Sequence, residues 1–99
     1  MNMTELREQI DCIDKELVSL FEQRMSVSAQ IADCKKERAL PILDAAREHA
    51  LLEKIAQISD PELEKYTVSL YQTILFLSRS YQQHIINGST SAPHMEVHK

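Results

Sequence analysis

One uninterrupted helical pattern occupies residues 4–39, TELREQIDCIDKELVSLFEQRMSVSAQIADCKKERA. Its apolar residues recur alternately four and three positions apart, which places them on one face of a helix. We call this face the apolar stripe, and its members are Leu6, Ile10, Ile13, Leu17, Leu20, Val27, Ile31 and Cys34. Thr4 can cap the helix at its start, and Pro41 limits it to about residue 39. The pattern therefore predicts one long amphipathic helix.

Arg24 interrupts the apolar stripe at a position where the spacing favours an apolar side chain. Burying a guanidinium group is costly unless a negative charge pairs with it. Ser28 lies one turn further along this side of the helix, and Lys35 lies three turns from Arg24, although Lys35 also suits the C-terminal end of a helix dipole. We therefore predict that Arg24 binds an anion. The alternative is that Arg24 forms an ion pair that fixes the register of packed helices.

The predicted helix is too long for a compact chain of 99 residues. At about 1.5 Å per residue it would extend roughly 50 Å, whereas a compact chain of this size has a radius of gyration of about 13 Å. The projecting half would leave the apolar stripe in water unless a second chain covered it. We predict an intertwined homodimer.

Two shorter helices are predicted after Pro41. Asp44 can cap a helix that ends near Ile58, and Asp60 and Pro61 can cap and begin a third helix that ends near Ile86. Their expected buried residues are Ile42, Leu51, Leu52, Ile55 and Ile58 in the second helix and Leu63, Tyr66, Leu70, Ile74, Leu77 and Tyr81 in the third. No strand-like alternation is present, so we predict an all-α fold with three helices per chain.

The chain is predicted to form a single domain over residues 1–86. A composition of 43% hydrophobic and 26% charged residues is typical of a globular protein. Residues 87–99, NGSTSAPHMEVHK, contain too few apolar side chains to pack, and we expect a flexible tail there.

Several classes of function are disfavoured by charge and composition. The net charge of −4 argues against a nucleic-acid partner. No apolar run approaches the roughly 18 residues of a membrane span, and no secretion signal is apparent, so we expect a cytoplasmic protein without a membrane partner. The four His and two Cys lack metal-ligand spacing, so no metal site is expected.

A second set of polar residues lies in the two shorter helices. Asp44, Arg47 and Glu48 cluster at the start of the second helix, where Arg47 opposes the helix dipole and Glu48 suits it. Ser78 and Gln82 share one side of the third helix because they lie four residues apart. Solvated helix surfaces would also explain these residues. Together with Arg24 and Lys35, however, they suit a small polycarboxylate whose reaction requires positioning and charge stabilisation.

The order and spacing of these residues resemble the all-helical AroQ-class chorismate mutases over about residues 4–85. The matching positions are Leu6-Arg7, Ile10-Asp11, Ile13-Asp14, Arg24, Lys35, Pro41-Ile42, Asp44, Arg47-Glu48, Ser78 and Gln82. Each short motif is weak, but the ordered set is highly specific. The resemblance implies an intertwined dimer that converts chorismate to prephenate by a Claisen rearrangement in phenylalanine and tyrosine biosynthesis. It implies no cofactor and no covalent intermediate.

The resemblance also implies a role for each matched residue. Arg24, with Arg7 of the other chain in the dimer, would bind the chorismate carboxylates. Lys35 and Gln82 would donate hydrogen bonds to the ether oxygen. Glu48, with Asp44 nearby, would engage the ring hydroxyl. Arg47 and Ser78 would complete the pocket.

Two alternative functions compete with this interpretation. Isochorismate-pyruvate lyase shares the fold and the cationic clamps, but relatives of that type are expected to lack the pattern of Asp44 and Glu48. A non-catalytic helical dimer would use the charged positions only to fix register. The complete set of matched residues favours the mutase.

Overall fold

The computed structural model describes residues 2–88, which form three helices and contain no strand. Helix α1 spans Met3–Glu37, α2 spans Ala45–Ile58 and α3 spans Glu64–Ile86. The predicted all-α class and the number of helices are confirmed. The tail predicted for residues 87–99 lies outside the described residues from position 89 onward.

Helix α1 begins two residues earlier than predicted because Asn2, and not Thr4, is its N-cap. The Asn2 side-chain oxygen accepts a hydrogen bond from the Glu5 backbone N–H at 2.9 Å, and the Glu5 carboxylate accepts one from the Asn2 N–H at 3.2 Å. This reciprocal capping box satisfies N–H groups that a helix start leaves unpaired. The helix ends at Glu37, and Ala39 then adopts a positive φ of 54° before Pro41.

The start of α2 agrees with the prediction, whereas the start of α3 does not. Asp44 caps α2 by accepting a hydrogen bond from the Arg47 N–H at 3.0 Å. Asp60 instead accepts from the Glu62 N–H at 2.8 Å and holds residues 61–63 in a turn, so α3 begins at Glu64 and not at Pro61. When an aspartate side chain accepts a hydrogen bond from the backbone N–H two residues later, it stabilises a turn and not a helix start.

Helix α3 packs against both α1 and α2. Ala29 and Ala32 of α1 are buried against Ile85 of α3, and Ile55 of α2 and Leu75 of α3 are also buried. Beside this contact, Ser28 of α1 lies within hydrogen-bonding distance of Ser78 and Gln82 of α3.

The predicted buried face of α3 was largely wrong for the chain described here. Leu63, Tyr66, Leu70 and Leu77 are exposed, as is Ile58 of α2. Ile74 and Tyr81 are half-buried, as are Ile42, Leu51 and Leu52. The buried residues of α3 are Leu75, Ser78, Gln82 and Ile85, and the two polar ones pair with α1. A rule that buries only apolar residues therefore misses the polar members of this face.

The apolar stripe of α1 is exposed along most of its length. Its first five members, Leu6, Ile10, Ile13, Leu17 and Leu20, are between 42% and 61% exposed. The molecule extends 53 × 34 × 16 Å, and its radius of gyration of 16.4 Å exceeds the compact value of about 13 Å. The prediction that α1 projects and exposes its apolar face is confirmed.

Within residues 2–88, no helix combines the length and the apolar character that crossing a membrane requires.

Candidate active site

A cavity of about 460 Å³ opens between the three helices and the loop that joins α1 to α2. Its polar lining consists of Arg24, Ser28, Lys35, Asp44, Arg47, Glu48, Ser78, Arg79 and Gln82. Its apolar lining consists of Val27, Ile31, Ile42, Leu51 and Leu75. The cavity therefore presents charged and hydrogen-bonding groups against apolar walls, as ligand sites usually do.

The structure brings together all but one of the predicted site residues. Arg24, Lys35, Asp44, Arg47, Glu48, Ser78 and Gln82 line the cavity, and Arg7 does not. Arg7 precedes Arg24 by 17 positions in α1, which corresponds to about 25 Å along the helix axis. An arginine side chain is much shorter than this distance, so Arg7 cannot reach the cavity of its own chain.

A buried hydrogen-bonding network joins α1 to α3 at the base of the cavity. The hydroxyl oxygens of Ser28 and Ser78 lie 2.5 Å apart. Gln82 Nε2 donates to the Ser28 backbone oxygen and to its hydroxyl oxygen, each at 3.1 Å. All three residues are at most 8% exposed. Burial favours paired polar groups, so this network holds Gln82 at a defined position. The amide of Gln82 has two N–H groups, so its donation to a ligand requires one of the two contacts with Ser28 to be exchanged.

Lys35 connects the end of α1 to the loop before α2. Its Nζ atom donates to the Ile42 backbone oxygen at 2.5 Å. An ammonium group has three donors, so two N–H groups remain for a ligand in the cavity. The contact thus orients Lys35 without exhausting its hydrogen-bonding capacity.

Arg24 lies over the ring of Tyr71 of α3, with 5.8 Å between the guanidinium carbon and the ring centroid. This geometry is that of a cation–π contact. No carboxylate among residues 2–88 forms an ion pair with Arg24. The register-fixing ion pair considered above is therefore absent from this part of the chain, and the charge of Arg24 remains available to an anion.

Arg79 is a site residue that the sequence reasoning missed. Its Nη1 atom lies 2.5 Å and 2.6 Å from the two carboxylate oxygens of Glu48, which belongs to the first turn of α2. The one available signal was that Arg79 lies three positions before Gln82 and thus near the same helix face. Sequence spacing could not reveal its partner, because Glu48 lies 31 positions away.

The cavity is electropositive although the whole chain is acidic. Arg24, Lys35, Arg47 and Arg79 contribute four positive charges, and Asp44 and Glu48 contribute two negative ones, which leaves a net charge of +2 against −4 for the chain. Within residues 2–88, no cluster of His, Cys, Asp and Glu is suited to hold a metal ion. This charge balance is complementary to a small dianion.

Comparison with known proteins places this arrangement in a family. The family described as "Chorismate mutase type II" matches residues 6–83 of the chain. This range contains all eight predicted site residues. The chain belongs to the type II chorismate mutase family. The resemblance to AroQ-class chorismate mutases is thereby confirmed.

Three curated relatives illustrate the extent of the similarity. The chain is 30% identical over 91 residues to a bifunctional chorismate mutase/prephenate dehydratase from Enterobacter agglomerans, covering 90% of this chain and 24% of that protein. It is 32% identical over 81 residues to the T-protein from Haemophilus influenzae, covering 80% and 21%. It is 24% identical over 83 residues to a chorismate mutase from Methanocaldococcus jannaschii, covering 82% and 84%.

The chain spans less than a quarter of the length of the first two relatives. It spans most of the length of the third relative, the chorismate mutase from Methanocaldococcus jannaschii. No solved structure matches the chain.

Proposed function

We propose that the chain is a chorismate mutase that converts chorismate to prephenate in phenylalanine and tyrosine biosynthesis. The observation that carries this proposal is the convergence of seven of the matched residues on one cavity with a net charge of +2. Chorismate carries two carboxylates, so its charge complements that of the cavity. Membership of the type II family supports the same substrate.

Substrate positioning is assigned to the arginines. Arg24 would bind one carboxylate of chorismate, with Arg7 of a second chain binding the other, and Arg47 and Ser78 would complete the pocket. A guanidinium group can bind a carboxylate through two parallel hydrogen bonds, which fixes both distance and orientation. Holding the flexible side chain of chorismate over the ring increases the population of the reactive conformer.

Charge stabilisation is assigned to Lys35 and Gln82. In the rearrangement, the C–O bond of the ether breaks while a C–C bond forms, and negative charge accumulates on the ether oxygen. Donors directed at this oxygen bind the transition state more tightly than the substrate, which is the condition for catalysis. Because electrons move within one molecule, this mechanism needs neither a cofactor nor a covalent intermediate.

Glu48 is assigned to the ring hydroxyl of the substrate, with Asp44 nearby. An ionised carboxylate is an acceptor with about four lone-pair directions, and Arg79 occupies only part of them. Glu48 can therefore accept a hydrogen bond from a hydroxyl group while it remains paired with Arg79. We assign these functions to one catalytic domain over residues 1–86.

We also propose that the active form is an intertwined cytoplasmic homodimer. Two observations support the dimer: the apolar stripe of α1 is exposed, and Arg7 lies too far along α1 to reach its own cavity. A second chain packed along α1 would cover the stripe and could supply Arg7. The site would then be complete only in the dimer.

Complementation tests the shared site. Arg7→Ala and Lys35→Ala should each be nearly inactive alone, yet a refolded equimolar mixture should recover about a quarter of wild-type activity. Half of its dimers would be mixed, and each mixed dimer would contain one intact site. A mixture as inactive as its components would show that Arg7 does not act across the dimer.

Turnover tests the function itself. Purified protein at neutral pH should consume chorismate and form prephenate, and Arg24→Ala should abolish the reaction. Arg38→Ala is the matched control, because Arg38 is exposed at the end of α1 and does not line the cavity. Release of pyruvate from isochorismate without prephenate formation would identify a lyase instead. Absence of turnover with either compound would favour the non-catalytic helical dimer.

A further inference from the structure

The Arg79–Glu48 pair has a geometry that differs from a surface salt bridge. One nitrogen, Nη1 of Arg79, contacts both oxygens of the Glu48 carboxylate. The side chains of Arg79 and Glu48 are only 34% and 22% exposed. Both residues line the cavity, so the pair belongs to the wall that a ligand would contact.

Arg79 lines a second concavity besides the cavity. This is a shallow groove that Leu43, Phe76 and Gln83 also line. The guanidinium group pairs with Glu48, so it can neutralise that carboxylate from within the cavity wall.

Glu48 presents an electrostatic difficulty for a cavity that binds a dianion. An unpaired carboxylate beside two substrate carboxylates would repel them, and partial burial weakens the screening by water. Yet the carboxylate has to be directed at the cavity to accept a hydrogen bond from a hydroxyl group. A cation paired with Glu48 meets both requirements.

We propose that Arg79 is a positioning residue that keeps Glu48 oriented toward the substrate hydroxyl and cancels its repulsion of the dianionic substrate. Arg79 acts through Glu48, which is the member of the pair that would bind the substrate hydroxyl. This assignment rests on the proposed function. It adds to the site a residue that was not among the eight matched to the family.

A purely structural role is the competing explanation, because the pair also ties the first turn of α2 to α3. Loss of folded protein lowers the apparent kcat and leaves KM unchanged, whereas repulsion between Glu48 and the substrate raises KM. Since the repulsion acts on the ground state and the transition state alike, its effect appears chiefly in KM. The ratio of the two effects therefore separates the explanations.

The experiment measures kcat and KM for chorismate, with unfolding midpoints, for the wild type, Arg79→Met, Arg79→Lys and Lys65→Met. Lys65 is an exposed cation of α3 outside both pockets and serves as the matched control. We expect Arg79→Met to raise KM by about tenfold or more with kcat within about threefold, Arg79→Lys to recover most of the loss, and Lys65→Met to resemble the wild type.

A double-mutant cycle with Glu48→Gln tests whether Arg79 acts through Glu48. In that background the repulsion is already absent, so Arg79→Met should change kcat/KM by less than about twofold. If Arg79→Met lowers kcat/KM as much in the Glu48→Gln background as in the wild type, Arg79 binds the substrate directly and the proposal is wrong.

Two further outcomes separate this proposal from the proposed function. If Arg79→Met leaves KM unchanged and lowers kcat in proportion to the loss of stability, Arg79 is only a structural contact. The proposed mutase function would be unaffected by that result. Failure of the wild type to convert chorismate would overturn the proposed function and this inference with it.

Discussion

Gln82 of α3 donates from Nε2 to both the backbone oxygen and the hydroxyl oxygen of Ser28 on α1, at 3.1 Å each. The same Ser28 hydroxyl lies 2.5 Å from that of Ser78. The contact that holds α1 against α3 therefore also holds a proposed catalytic donor. Structural stability and site geometry share these atoms.

Ser28→Ala should destabilise the fold, because it leaves the buried hydroxyl of Ser78 without its partner. We expect the free energy of unfolding to fall by about 1–2 kcal/mol. Urea unfolding followed by circular dichroism measures the change. Ser26→Ala, an exposed serine of the same helix, should change it by less than about 0.5 kcal/mol. Equal effects of the two substitutions would contradict a stabilising role for the network.

Lys35→Ala should lower kcat by about 10²–10³-fold, the usual cost of removing one donor to a developing oxyanion. Lys36→Ala is the matched control, since Lys36 lies in the same last turn of α1 but does not line the cavity. Both substitutions remove one charge that favours the helix dipole. Steady-state kinetics with chorismate compares them, and similar losses would indicate that only the dipole matters.

Gln82→Glu should make activity dependent on pH. The amide of Gln82 donates a hydrogen bond at any ordinary pH, whereas a carboxyl group donates only when protonated. The variant should therefore be weakly active at neutral pH and gain activity as the pH falls, until the protein unfolds. The pH profile of kcat, measured beside the wild type, tests this. Equal activity at neutral pH would mean that Gln82 does not donate to the ether oxygen.

Leu17→Glu should prevent dimer formation, because it places a charge in the exposed apolar stripe. Leu17 is 56% exposed in the single chain, and its burial in a dimer would require desolvation of the new carboxylate. Sedimentation analysis should give the mass of one chain for this variant and of two for the wild type. Ser19→Glu adds the same charge on another face of α1 and should remain dimeric. A wild type that sediments as a single chain would contradict the proposed dimer.

Local signals explain how much of this fold could be predicted. The four-three spacing predicted α1, Asp44 predicted the start of α2, and α3 ends at Ile86 as expected. The errors in the helix starts concerned the capping side chains. Asn2 rather than Thr4 caps α1, and Asp60 stabilises a turn instead of starting α3 at Pro61.

The sequence by itself determined the three helices and the exposed apolar stripe, because periodicity and capping act within a few residues. Its resemblance to a family also indicated seven of the residues that line the cavity. Only the tertiary structure decided which polar groups meet. Ser28 pairs with Ser78 across 50 positions, and Arg79 pairs with Glu48 across 31. Such contacts depend on how the helices pack and on the electrostatics of the cavity that they enclose. The spacing of residues along the chain does not predict either of these.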